Sequence, residues 1–329
     1  AVIGAAAGPT VGGFFLEHFW WGSVFLLNVP VVVVTIVLTL FLAPPNAPNP
    51  LKHWDFPSSL YSLITLASLV LAIKSLAHNW PVSAAAGIVF ICGALAFGRR
   101  QARLSDPLLT FDIFSSRIFS GGALTAGGAM FGLSGLELVS TQKLQLVDAL
   151  SPLHAGLIIS AMALSAIPTS ILGGATLHRV GFLPLISGGF LLMAAGMALV
   201  VVSRGETLPL LVSALVLTGL GAGLAMSVSS TAIINAAPLH RTGMASGVEA
   251  VSYEFGTLIS IALTGTLVPL LMARELPPHL AELGTDALYR PVSHAAAASA
   301  YNSVYLSTIG GLACFALLLA AITAWCFRD

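Results

Sequence analysis

Charge is what this chain has least of. Asp, Glu, Lys and Arg together make up 8% of its 329 residues, where an ordinary soluble domain carries about 25%. So few charges cannot cover the surface of a water-soluble globule of this size without leaving large apolar patches. Basic blocks are missing too, and the formal net charge is zero, which excludes nucleic acid as a partner. Cysteine is scarce. Cys92, Cys314 and Cys326 lie in apolar stretches without metal-ligand or redox spacing and read as small hydrophobes. No Walker A lysine loop is present, so nothing points to an ATP-driven pump. What the chain has instead is apolar surface: 57% of residues are hydrophobic and the mean hydropathy is +0.96. That excess rules out a disordered chain.

A spanning helix needs about 20 mostly apolar residues. Such runs fall at roughly 1–16, 22–42, 57–76, 80–98, 116–140, 153–173, 182–202, 207–230, 247–272 and 302–326, which predicts an all-α membrane protein of about ten spans. A β-barrel would need alternating segments of about ten residues, and these runs are longer and do not alternate. The first run, AVIGAAAGPTVGGFF, has no charged n-region and is not a signal peptide. It reads as a helix cut at its N-terminal end, so an upstream part is expected. Residues 43–56 (APPNAPNPLKHWDF) are Pro/Asn-rich and read as an irregular linker. Residues 99–115 read as a second cytoplasmic loop, and residues 273–301 as a long external loop. Pro277-Pro278 can start a short helix within the latter.

Lys and Arg set the orientation. Lys52, Arg99, Arg100, Arg103, Arg117, Arg179, Arg241 and Arg328 fall on one side, against Lys74, Lys143, Arg204, Arg274 and Arg290 on the other. The richer side is expected to be cytoplasmic, with the C-terminus on it.

Gly4, Gly8 and Gly12 are spaced by four and line one face of the first helix, where another backbone can approach. Pro9 removes a hydrogen bond and bends the helix, and Gly13 adds slack. The pattern G-x-x-x-G-P-x-x-G-G resembles the antiporter motif in the fifth helix of the major facilitator superfamily. WWGSVFLLNVPV follows, and is similar to the opening of that family's sixth helix, with Trp21-Gly22 where Trp-Arg is usual. RLSDPLLTFDIFSSRIFSGG and LQLVDALSPLHAGL resemble the segments before and after the ninth helix of the fourteen-helix branch. GGATLHRVG resembles the loop G-x-x-x-D-R-x-G through Gly174, Arg179 and Gly181, with His178 where Asp is usual. The resemblance is collinear over essentially the whole chain.

It implies a major facilitator fold with helices 5–14 of fourteen present. Residues 1–42 would then end the N-terminal bundle, 43–56 form the linker, 57–98 the two extra helices, 99–115 a loop, and 116–329 the C-terminal six-helix bundle. The similarity is greatest to drug:proton antiporters for quaternary ammonium compounds and methyl viologen. It implies small lipophilic cations, protons and the lipid bilayer as partners. It also implies a monomer in the bacterial inner membrane, driven by the proton gradient with no cofactor. Two alternatives stay open: a same-fold transporter of another small molecule, and a non-transporting fragment.

An ionisable residue within a span is costly and marks function. Glu137, Glu249 and Glu254 qualify, and no Lys or Arg sits mid-span to pair with them. Glu254 is the most deeply placed. Five residues at 100° put Glu249 and Glu254 about 140° apart around their helix, so they face different neighbours. Ser252, Tyr253, Gly256 and Ser260 share the Glu249 side, and Thr257, Ile261 and Thr264 follow Glu254. An unpaired buried carboxylate takes up a proton, so one acid can hold either a proton or a cationic drug. Tyr253, Phe131, Phe114 and Phe119 are candidates for cation–π contact, and Ser252 and Gly256 for the cavity wall. Gly132-Leu133-Ser134-Gly135 matches the G-x-S-G of intramembrane serine proteases. All eight histidines lie in loops or at span ends, however, and a nucleophilic serine needs a base within reach. The chain does not read as an enzyme.

Overall fold

A computed structural model of the chain describes residues 2–42, 55–76, 79–104, 107, 109–204, 207–238 and 241–328. The expected linker 43–56 therefore lies outside the described residues up to residue 54. Each apolar run becomes a helix, because a backbone in lipid must satisfy its own hydrogen bonds. In chain order the helices are α1 (Val2–His18), α2 (Ser23–Leu26), α3 (Asn28–Leu42), α4 (Phe56–Ser75), α5 (Trp80–Gln101) and α6 (Arg117–Gln142). They continue with α7 (Pro152–Val180), α8 (Phe182–Val202), α9 (Leu208–Ala236), α10 (Thr242–Glu275) and α11 (His294–Cys326). Among the described residues nine helical stretches are long and apolar enough to cross a membrane, with α2 and α3 forming one of them. The tenth run, α1, has 17 described helical residues, about one turn short of the usual 20.

Polar side chains punctuate the apolar runs. Asn79 Oδ1 accepts from the Val82 amide (3.3 Å) at the start of α5. Ser151 Oγ accepts from the His154 amide (3.4 Å) at the start of α7. The Glu17 carboxylate, on α1, also accepts from the Leu153 amide in that first turn (3.3 Å). Gly181, at φ +84°, is the whole connection between α7 and α8, a backbone conformation that a side chain would oppose.

The core lies among α6, α8, α9 and α11. Phe190, Met193 and Met197 of α8 and Leu215 of α9 are fully buried there, with Leu136 of α6 and Ile309 of α11. α7 packs along α9, and α10 along α6. α4 and α5 form a hairpin that touches the bundle through α10, and α1 reaches it through α7. No residue of α3 is buried. The arginine-rich ends meet on one face: Arg117 lies 5.1 Å over the Trp325 ring, and Phe182 stacks on Phe327 at 5.7 Å.

Two expectations need correction. The outer connection is shorter than 273–301. α10 runs to Glu275 and α11 begins at His294, because both helices continue beyond their apolar runs. The residues between them form a 3₁₀ segment, Ala281–Tyr289, with Ala287 and Leu288 buried. His294 Nε2 lies 3.2 Å from the Leu146 carbonyl, so this connection is a packed cap. The close approach to α1 is also elsewhere than expected. A Cβ at Gly8 or Gly12 would meet nothing within 4 Å, whereas one at Gly13 would lie 2.8 Å from the Pro152 carbonyl carbon. Across the crossing, a Cβ at Gly156 would strike the Pro9 carbonyl. Gly13 and Gly156, on α1 and α7, are the residues that let these two backbones touch.

The hairpin is closed at its arginine-rich end by an ion pair. Arg100 Nη2 lies 2.7 Å from Asp55 Oδ1, and its Nε donates to Oδ2 at 3.1 Å. The Arg100 guanidinium, together with the Ser58 hydroxyl, holds the Asp55 carboxyl down from 3.8 to about 2. A depressed carboxylate adds stability above its unfolded pKa and loses it as pH falls through the folded value. The hairpin end is therefore expected to stay closed down to about pH 4 and to open between about 4 and 2. Carbon-13 NMR titration of Asp55 checks this: the midpoint should lie near 2 and rise towards 3.8 in Arg100→Ala.

Candidate functional site

α10 has two working faces, set by helical spacing. Ser252, Gly256 and Ser260 recur every four residues and form the seam with α6. A Cβ at Gly256 would collide with the Gly127 carbonyl, and one at Gly127 would lie 3.1 Å from the Ser252 carbonyl oxygen. Ser260 Oγ donates to the Phe131 carbonyl at 2.6 Å. Ser134 Oγ donates to Thr257 Oγ1 at 3.3 Å. Small residues bring the backbones together and hydroxyls fasten them.

Glu249 faces α9. The Tyr253 hydroxyl lies 3.3 Å from both the Met226 carbonyl and Glu249 Oε1, so it ties the acid to that helix. Glu254 points away from this seam, as the 140° separation predicts. It is exposed from the bundle and lines a cavity of about 190 Å³ between α10 and α4. The other lining residues are Leu66, Ala250, Val251, Phe255 and Leu258. Glu254 meets this apolar wall with its hydrocarbon stem, and no Lys or Arg pairs with its carboxylate among the described residues. It lies 12 residues into the 34 of α10, about 18 Å along the helix axis.

The other sequence candidates sit apart from this cavity. Gly256 is buried in the α6 seam and Ser252 donates to the Val248 carbonyl at 2.8 Å, so neither lines the wall. Phe131 packs its ring against Phe315 at 4.5 Å, and Phe114 packs edge-on against Phe119 at 5.3 Å. Neither Phe131 nor Phe114 lines this cavity, Phe119 is fully buried, and Phe114 remains 37% exposed. Tyr253 serves Glu249 and α9. Glu137 is half-buried on α6, one turn beyond Ser134, and does not reach the cavity. Ser134 bonds to Thr257 and to no histidine. Arg179 is exposed beside the Gly181 turn, and Gly174 is a surface position. Leu66 and Phe255 went unnoticed in the sequence. Phe255 is signalled by its place next to Glu254, whereas nothing distinguishes Leu66 from its neighbours in α4.

Residues 119–276 match the Major Facilitator Superfamily. The chain carries a Major Facilitator Superfamily domain. Among relatives of this superfamily domain, the multidrug efflux pump LfrA of Mycolicibacterium smegmatis is 33% identical over 90% of this chain and 60% of its own length. The methyl viologen resistance protein SmvA of Salmonella typhimurium is 33% identical over 80% of this chain and 54% of its own. The multidrug resistance protein Stp of Mycobacterium tuberculosis is 27% identical, over 89% and 55%. The chain thus spans little more than half the length of these relatives. A solved bacterial homologue of the human lysosomal transporter Spinster, in an inward-facing and occupied conformation, superposes with a TM-score of 0.52. It is 16% identical and covers 83% of this chain and 65% of that one, a likeness of fold alone. The chain is a multi-pass protein of the bacterial inner membrane, and the family that residues 119–276 match is one of transporters.

Proposed function

We propose that this chain works in proton-coupled multidrug efflux, exchanging lipophilic or quaternary-ammonium cations for protons. The observation that carries the reading is Glu254: an acid within an apolar span, beside an apolar cavity, with no Lys or Arg paired to it among the described residues. Such a carboxylate is neutralised either by a proton or by a positively charged guest, and each displaces the other. Apolar neighbours favour a guest whose charge is wrapped in hydrocarbon. Alternating exposure of the site to the two sides turns this competition into exchange. Methyl viologen, to which the similar protein SmvA confers resistance, is such a guest.

In this reading α1–α3 are the fifth and sixth helices, α4–α5 the extra pair, and α6–α11 the C-terminal bundle. The transporter acts as a monomer and uses no cofactor. Glu249, fastened by Tyr253, is a secondary acid, and Glu137 a third.

The test is transport by the full-length protein in vesicles. An imposed gradient, acid inside, should drive tetraphenylphosphonium uptake, and collapsing the gradient with nigericin should stop it. Uptake that ignores the gradient overturns proton coupling.

A further inference from the structure

The α4–α5 hairpin is fastened to α10 at two heights, with a gap between them. On the arginine-rich face the chain of contacts is continuous. Gln101 of α5 is buried and donates to Ser58 of α4 at 2.7 Å, while its carbonyl oxygen accepts from the Leu109 amide at 3.2 Å. The next residue, Thr110, has its amide 3.4 Å from the Met244 sulfur on α10. The Thr110 hydroxyl accepts from Arg241 Nη1 at 3.2 Å, and Arg241 also pairs with Asp112 at 2.7 Å. At the opposite end the Thr266 hydroxyl, which donates to the Ala262 carbonyl of its own helix at 2.8 Å, comes within 3.5 Å of the Ile73 carbonyl of α4.

Met244 and Thr266 are 22 residues apart, about 33 Å along α10, and Glu254 lies close to midway between them. The two fastenings hold α4 beside α10, yet at mid-height the helices leave the cavity of about 190 Å³. A packed interface closes gaps of this size where it can, because each lost contact costs dispersion energy. This one stays open beside the stem of Glu254. Among the described residues Leu66 is the one member of the hairpin on the cavity wall.

We propose that the α4–α5 hairpin supplies one wall of the Glu254 site, and that Leu66 on it selects among lipophilic cations by the bulk around their charged centre. This rests on the exchange reading of Glu254. The volume is below the about 300 Å³ at which drug-sized pockets begin, so the cavity seats the charged head while the remainder of the guest extends along the helices. A trimethylammonium head fits with room to spare. A head with its charge wrapped in aromatic rings needs the space that Leu66 borders.

The experiment measures binding to the full-length protein of two probes that differ at the head. They are tetraphenylphosphonium, with a bulky head, and cetyltrimethylammonium, with a small head on a flexible chain. Leu66→Trp should weaken tetraphenylphosphonium by roughly tenfold or more and leave cetyltrimethylammonium within about threefold. Leu66→Ala, which removes bulk and tests the same wall without crowding it, should shift the preference towards tetraphenylphosphonium. If both Leu66 variants leave the ratio of the two affinities unchanged while Glu254→Gln weakens both probes, the hairpin is not the wall. If Glu254→Gln binds both probes as the wild type does, the exchange reading itself falls.

Discussion

Glu254→Gln should abolish drug-evoked proton release. The amide is the shape of the protonated acid but has no proton to trade, so the arrival of a cation expels nothing. It also removes the charge that the guest is neutralised by. A bond to a charged group is worth about 1.5–3 kcal/mol, so the affinity for tetraphenylphosphonium should fall roughly ten- to hundredfold. A pH indicator in weakly buffered detergent solution reads the release directly. Glu254→Asp, which keeps the titrating group, should restore release with altered affinity. Release at the wild-type level in Glu254→Gln would remove this residue from the exchange.

Gly256→Ala should be the most damaging small substitution in α10. The new methyl group would meet the Gly127 carbonyl and carbonyl carbon, which are backbone atoms of a helix pinned by its own hydrogen bonds. Neither side can yield without separating α6 from α10. The Ser260–Phe131 and Ser134–Thr257 hydrogen bonds would then be lost as well. Overpacking of this kind costs about 1–3 kcal/mol. Gly265→Ala makes the contrast within the same helix. Its methyl group would meet nothing within 4 Å, and alanine favours a helix over glycine by up to about 1 kcal/mol. Thermal unfolding in detergent should show the first substitution lowering the midpoint and the second leaving it level or raised.

The architecture was legible because lipid imposes a simple rule. Every spanning segment must satisfy its own backbone, so run length and apolarity locate the helices directly. Helix ends were less legible. α10 and α11 continue beyond their apolar runs through polar residues such as Arg274 and His294, and composition alone does not reveal that continuation. The site was half legible. An acid within an apolar run is visible in any sequence, and helical angle alone separated Glu249 from Glu254. Which face meets protein was not visible, because Ser252 and Gly256 suit a cavity wall and a helix seam equally well. Small polar residues became the seam, and the wall came from apolar residues next to Glu254 on α10 together with Leu66 of a distant helix. The Gly8–Gly12 face shows a related limit: spacing shows that a face is smooth but not what lies against it.

The crossing of α1 over α7 has a mechanical meaning. Among the described residues α1 meets the six-helix bundle at α7 alone, with bare backbone on both sides at Gly13 and Gly156. The two helices lie flush over much of the length of α1, and the Glu17 carboxylate holds the Leu153 amide beside the crossing. α7 in turn is joined to α8 by one glycine, so a tilt imposed on it is not absorbed by a slack joint. That arrangement is a strut: a load on α1 passes through α7 to the bundle undamped.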